Sequence, residues 1–304
     1  MKFTEKSRAA AISIISNTSL ILLKLIAGII TGSVSLLAEA IHSIMDLVAA
    51  IMAFISVQIA DRPPDEQHRF GHGKAENISG VVEGLLIFLA AGLIANEAIR
   101  RLPKGATLEF LEVGIGVMAV CLVVDLIVSR YVLRVSKSTD SIALEADARH
   151  LTTDVVTMGG VLVALVVVRF TGINLLDPVI AIMVALVIMK TAYDITKKSF
   201  GGLMDTSLTE AEENAIRSRV LEHGSQMAGY HKLRTRKSGS QRYVDLHVVM
   251  PRNVSIAEAH SFCDHLERDL ESMLQRVDVT IHVEPCSREC DECSVSCNIS
   301  KKSP

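Results

Sequence analysis

The stretch Ala38-Glu39-Ala40-Ile41-His42-Ser43-Ile44-Met45-Asp46 sets an imidazole and a carboxylate four residues apart inside an apolar run from Val34 to Ile59. A second stretch, Asp147-Ala148-Arg149-His150-Leu151-Thr152-Thr153-Asp154, repeats the spacing in a run from Ile142 to Phe170. In a helix, each His-x-x-x-Asp pair shares one face about one turn apart. Both runs reach the ~20 residues needed to cross hydrocarbon. An ionisable group there costs at least ~2.5–3.5 kcal/mol on insertion scales, so four in a repeated pattern require a compensating partner. His42, Asp46, His150 and Asp154 together make a two-nitrogen, two-oxygen set that suits tetrahedral Zn²⁺. The plainer reading, a His–Asp hydrogen bond between packed helices, explains one pair better than it explains two.

Working outward, four more apolar segments emerge: Ala9–Ile30, Ile78–Ile99, Leu111–Leu133 and Leu176–Tyr193. Gly32, Asp61-Arg62-Pro63-Pro64, Pro103-Lys104-Gly105 and Asp177-Pro178 punctuate them. Six spans are therefore expected, and 49% hydrophobic residues with a mean hydropathy of +0.37 agree. No small-residue cleavage site follows the first run, which is expected to remain as a span. Trp is absent, so an interfacial belt of Trp is missing. A net charge of -3 gives no sign of a nucleic-acid partner. Lys2, Lys6, Arg8, Arg62, Arg69, Lys74, Arg130, Arg134, Lys137, Lys197 and Lys198 fall on one side of the spans. Arg100, Arg101, Lys104 and Arg169 fall on the other. The excess places both termini in the cytoplasm.

After Gly201 the character changes. Leu208–His223 has amphipathic helical spacing, Tyr230–Lys237 reads as a strand, and Gln241–Met250 alternates until Pro251. Ser255–Leu274 is again helical, with Ala257, Phe262, Leu266 and Leu270 expected inward. Arg276–Glu284 alternates, with Val277, Val279, Ile281 and Val283 on one face and Asp278, Thr280, His282 and Glu284 on the other. The expected division is a membrane domain over 1–204, an α-β-β-α-β domain over 205–286, and a Cys-rich tail over 287–304, disordered without metal.

Other polar residues stand out. Asp65, His68 and His72 crowd the glycine-bearing loop between the second and third spans, a set that fits either an ion or a solvated turn. Glu39, Glu83 and Asp125 fit structural or proton-relay roles, and Asn17 and Lys24 fit helix contacts or snorkelling. Cys286, Cys290, Cys293 and Cys297 approach zinc-binding spacing without matching a standard motif, and reducing cytosol is their expected setting. An incidental set of thiols is the alternative.

The two His-x-x-x-Asp pairs, the loop Phe70-Gly71-His72-Gly73-Lys74-Ala75-Glu76 and the later Leu233-Arg234-Thr235-Arg236-Lys237-Ser238-Gly239 resemble the cation diffusion facilitator family, nearest its bacterial zinc and ferrous-iron efflux branch. The likeness runs from the N-terminus to Cys286. It implies a homodimeric, proton-coupled antiporter of the inner membrane, with six transmembrane helices and a cytoplasmic domain of ferredoxin-like, metallochaperone-like topology. By residue matching it implies a transport site of His42, Asp46, His150 and Asp154, and a loop site of Asp65, His68 and His72. It further implies a dimer-stabilising cluster of His231, His247, His260, His282 and Glu284, and a charge pair Lys74–Asp205. The sequence departs from the family where His42 replaces an Asp found in some bacterial members, and where Glu284 replaces a bridging Asp.

The expected function is efflux of a divalent metal, zinc first, which also serves structural or regulatory sites; Fe²⁺, Cd²⁺, Co²⁺ and Mn²⁺ suit similar ligands. Because no bond is made, an enzyme is not expected. An intramembrane metalloprotease would need a His-Glu-x-x-His pattern, which is absent. A metal sensor or channel without antiport would share every ligand.

Overall fold

The computed structural model describes residues 4–31, 34–101, 112–171 and 176–286. The chain divides into two units, residues 1–201 and 202–304.

The first unit is helical. Its elements are α1 (Glu5–Thr31), α2 (Val34–Ala60), α3 (Lys74–Arg101), α4 (Glu112–Thr139), α5 (Ile142–Thr171) and α6 (Leu176–Leu203). Each covers the expected apolar segment, apart from Leu111, which lies outside the described residues, and most continue past it through polar residues at the ends. Backbone hydrogen bonding continues wherever no Pro or Gly interrupts it, so helix length exceeds hydrophobic length. Among the described residues, Glu5–Ala27, Lys74–Arg100 and Val179–Leu203 are long and apolar enough to cross a membrane.

Burial in this unit is inverted relative to a soluble bundle. Ala9, Ala10, Ala49, Ala53, Ala143 and Ala192 are fully or almost fully buried, while Ile15, Leu22, Leu89 and Leu186 are exposed. Small residues let the helix backbones approach, and large apolar ones are left for lipid. Where α3 packs on α6, Gly80 and Gly84 leave room for it. A Cβ at Gly80 would collide with Ser199 Oγ, and one at Gly84 with Thr196 Oγ1.

A buried ion pair ties the helix ends. Lys6 Nζ donates to Glu76 Oε1 at 2.6 Å, while Ser141 Oγ and the Ile142 backbone N–H donate to Glu76 Oε2 at 2.7 and 2.9 Å. Lys6 is 1% exposed and Glu76 0%, so neither charge has water to fall back on. The three helices α1, α3 and α5 are thereby joined at one carboxylate.

The second unit runs α7 (Glu210–Glu222), β1 (Gly229–Ser238), β2 (Gln241–Met250), α8 (Ile256–Met273) and β3 (Val277–Pro285). Both helices start at a capping box, Thr209 with Glu212 and Ser255 with Glu258. Each box satisfies two backbone donors at once. The sheet order is β1-β2-β3, with β1 antiparallel and β3 parallel to the central β2. Gly239, at φ 59°, makes the tight turn between β1 and β2 possible. The core gathers Ile216 and Val220 of α7, Val244, Leu246 and Val248 of β2, and Leu266 and Leu270 of α8.

Two expectations are corrected here. Ala257 is exposed, and the inward stripe of α8 is Ala259, Phe262, Cys263, Leu266 and Leu270. Position 257 lies two residues from 259, roughly 200° around the helix. On β3 the alternation of burial breaks at its end: Val283 is 37% exposed and Glu284 is half-buried. The histidines of the neighbouring strands hold Glu284, as follows.

Candidate metal centres

The α5 turn that carries His150 and Asp154 faces α2 at Asp46. His150 Nε2 lies 3.1 Å from Asp46 Oδ1, and both side chains are 11% exposed. Ligand atoms of Asp46, His150 and Asp154 all lie within 4.8 Å of one another. Three N/O donors at this spacing form most of a first coordination sphere for a small dication. His42 stands on α2 one turn before Asp46, but its side chain lies outside the described residues. The same holds for Glu39.

A cavity of about 270 Å³ adjoins this group, lined by Asn17, Lys24, Ser43, Asp46, Asp125 and Asp154. Lys24 does not snorkel. It is 5% exposed and donates to Ser43 Oγ at 2.7 Å, fixing a positive charge between α1 and α2. A long apolar stem reaches an inward polar partner more cheaply than it reaches a distant interface. Glu83 of α3 is fully buried, and neither of its carboxylate oxygens has a hydrogen-bond partner among the described residues. His150 Nδ1 and Asp147 Oδ2 are also buried without one, although Asp147 Oδ1 accepts from Ser13 Oγ at 3.1 Å.

The loop between α2 and α3 folds around Asp65. Backbone N–H groups of Gln67 and His68 donate to Asp65 Oδ1 at 2.9 and 2.6 Å. These bonds, His68 foremost, hold the Asp65 carboxyl below its usual range. His68 Nδ1 lies 3.2 Å from Asp65 Oδ1, and His72 Nε2 lies 3.3 Å from Oδ2. Gly71, at φ 79°, permits the reversal that brings the two rings to 4.4 Å.

In the second unit, strand register lines up three histidines. His231 pairs with His247 across β1 and β2, and His247 pairs with His282 across β2 and β3. A bulge follows His231, with Lys232 at φ 51°. Glu284 reaches back to this row: it lies 3.0 Å from His231 Nε2, 2.6 Å from His247 Nδ1 and 3.8 Å from His282 Nε2. The hydrogen bonds from His247 and then His231 lower its pKa. His260 is elsewhere, on α8, 75% exposed and 3.6 Å from Asp264.

Cys286 ends the β3 ladder, its N–H donating to Met250 O at 2.8 Å. Cys290, Cys293 and Cys297 lie outside the described residues. Lys74 and Asp205 belong to different units; Asp205 accepts from Arg236 at 3.4 Å. Sequence reasoning passed over a further group, His223, His265 and Asp269. The i, i+4 spacing of its last two members was the available signal; His223, far away in the chain, gave none.

The family model of the cation efflux transmembrane domain matches residues 10–204, and that of the cation efflux protein cytoplasmic domain matches residues 208–286. An uncharacterized transporter of Synechocystis, sll1263, is 38% identical over 263 residues, covering 86% of this chain and 85% of that one. The cation-efflux pump FieF of Salmonella paratyphi A is 32% identical over 281 residues, covering 92% and 93%. A solved structure of CzrB, 33% identical, covers 26% of this chain and 99% of that one at a TM-score of 0.26. With both domain models matched in order along its length, the chain belongs to the cation diffusion facilitator family of cation-efflux transporters.

Proposed function

We propose that this chain exports a divalent transition metal, zinc foremost, from the cytoplasm in exchange for protons. It works as a homodimer in a bacterial inner membrane, with both termini cytoplasmic. The observation that carries the reading is the meeting of Asp46, His150 and Asp154 inside the helical unit, beside a cavity that Asn17, Lys24 and Asp125 also line.

The chemistry follows from the ligands. Imidazole must give up its proton before it can bind a metal, so protons and metal compete for His150 and His42. A metal loaded from the cytoplasmic side is released where the proton concentration is higher. Asp46 and Asp154 keep the anionic half of the site. Glu83, buried and without a hydrogen-bond partner among the described residues, fits a station for protons passing near His150. Two nitrogens with two oxygens favour zinc over the harder manganese ion, and iron, cobalt and cadmium remain competing cargoes of the same mechanism.

The loop group Asp65, His68 and His72 and the sheet group His231, His247, His282 and Glu284 are read as accessory metal sites, and His260, which stands apart from that group on α8, as a further ligand of the latter. Lys74 and Asp205 are read as a charge pair supporting the dimer.

The test is zinc flux in proteoliposomes under an imposed pH gradient. The native protein should move zinc, and collapse of the gradient should stop it. Asp154→Ala should reduce flux at least a hundredfold while the dimer stays folded. Full transport by that variant would overturn the assignment. Running Zn²⁺, Fe²⁺, Mn²⁺, Cd²⁺ and Co²⁺ side by side ranks the cargoes.

A further inference from the structure

A second group of metal-ligating side chains lies in the second unit, away from the strand-borne histidines. His223 forms the C-cap of α7, and its Nε2 lies 2.9 Å from Asp269 Oδ2 on α8. His265, one turn before Asp269, brings its Nε2 to 4.0 Å from the same oxygen. Ligand atoms of all three lie within 4.8 Å of one another. We propose that His223, His265 and Asp269 form a divalent-metal site, of zinc type, built within one subunit.

The geometry fits such an ion. Zinc bound at ~2.0–2.1 Å by nitrogen and oxygen in a tetrahedron sets its ligands about 3.3–3.5 Å apart. The observed 2.9 and 4.0 Å bracket that separation, so small side-chain rotations close the site. Two imidazoles flank a single carboxylate, with their rings edge to face at 5.2 Å. An ion-pair role would need only one of them, and two protonated rings at that distance would repel. As neutral rings they offer two lone pairs beside an anion.

The supports are rigid. The His223 ring packs edge-on to Phe262, at 6.1 Å and 88°. His265 and Asp269 each precede a fully buried leucine, Leu266 and Leu270, which fix the rotation of α8 about its axis. A site on such elements holds its ligands better than one on a loop. Side-chain exposure rises from 11% at His223 to 31% at Asp269 and 55% at His265, leaving the outer side open to a water as fourth ligand.

Such a site differs in consequence from the row on the sheet. It joins the end of α7 to α8 in the same chain and needs nothing from a partner. Metal there stiffens the helical layer at a cytoplasmic metal level set by its own affinity, independent of which ion the membrane unit carries.

The experiment uses the full chain, purified in detergent, stripped of metal and dialysed to equilibrium against micromolar Zn²⁺, with zinc counted per chain. His265→Ala and Asp269→Asn should each lose one zinc per chain relative to the native protein while helical circular dichroism is unchanged. In a His231→Ala, His247→Ala background, zinc should still raise the melting temperature, and adding His265→Ala should abolish that rise. An unchanged zinc count in either single variant, or a zinc-induced shift that survives His265→Ala, overturns the proposal. Neither outcome bears on transport, which the Asp154→Ala assay reads separately.

Discussion

At the scale of single residues, Glu284 shows how a side chain can override the pattern of its own strand. Alternation alone puts Val283 inward and exposes Glu284, yet the two end up about equally accessible, and two imidazoles bond the carboxylate. Its pKa is therefore depressed in the folded state. A depressed carboxylate contributes stability that is fully present above its unfolded pKa, ~4.3, and is lost as pH falls through the folded value. In metal-free protein, Glu284→Gln should remove that contribution and flatten the acid limb of the unfolding curve, as followed by circular dichroism. An acid limb identical to the native one would disprove the coupling. Asp154 belongs to the same scale: its loss removes one anionic donor from a buried group, and the proteoliposome assay reads the result. The i, i+4 pairs were legible in the sequence because one helix brings such residues together unaided. That Asp46 meets His150, and that Lys24 turns inward to Ser43, depends on packing between helices.

At the scale of elements, the helical unit is fastened by Glu76. Lys6 comes from α1, Ser141 and Ile142 from the start of α5, and all three converge on one carboxylate at the start of α3. Removing one partner of a buried pair costs about 3–5 kcal/mol when the other charge is left uncompensated, and here Lys6 Nζ keeps Asp61 Oδ1 at 3.6 Å. Glu76→Gln should accordingly lower the thermal stability of the detergent-purified protein, by less than that amount because Asp61 still faces Lys6. Replacing both charges, by Lys6→Met with Glu76→Leu, should recover most of it, since apolar pairs of similar size substitute well. A double variant as unstable as the single one would mean that the hydrogen bonds to Ser141 and Ile142 matter more than the charge. Glu76 closes the loop motif Phe70–Glu76. Its structural role was invisible because Lys6 is seventy residues away in sequence. By contrast, both capping boxes are readable directly, as Thr209 with Glu212 and Ser255 with Glu258.

At the scale of the whole molecule, two units with opposite solvents share one chain. The helical unit turns large apolar side chains outward, while the second unit buries its own around a three-stranded sheet. If metal at the sheet histidines draws two subunits together, zinc at micromolar concentration should raise energy transfer between dyes placed on the second units of a dimer. His231→Ala with His247→Ala should remove the response, and a distance unaffected by zinc would reject this form of regulation. The six apolar runs, the α-β-β-α-β order and the paired His-x-x-x-Asp motifs followed from sequence alone. Hydropathy, strand alternation and helix period are properties of neighbouring residues, and neighbours need no fold to be recognised. Only tertiary structure decided that Glu284 joins His231 and His247, that Asp269 gathers His223 and His265, and that Glu83 is buried without a hydrogen-bond partner among the described residues. These are meetings between distant segments, and a meeting of that kind is set by how helices and strands pack, which no local pattern encodes.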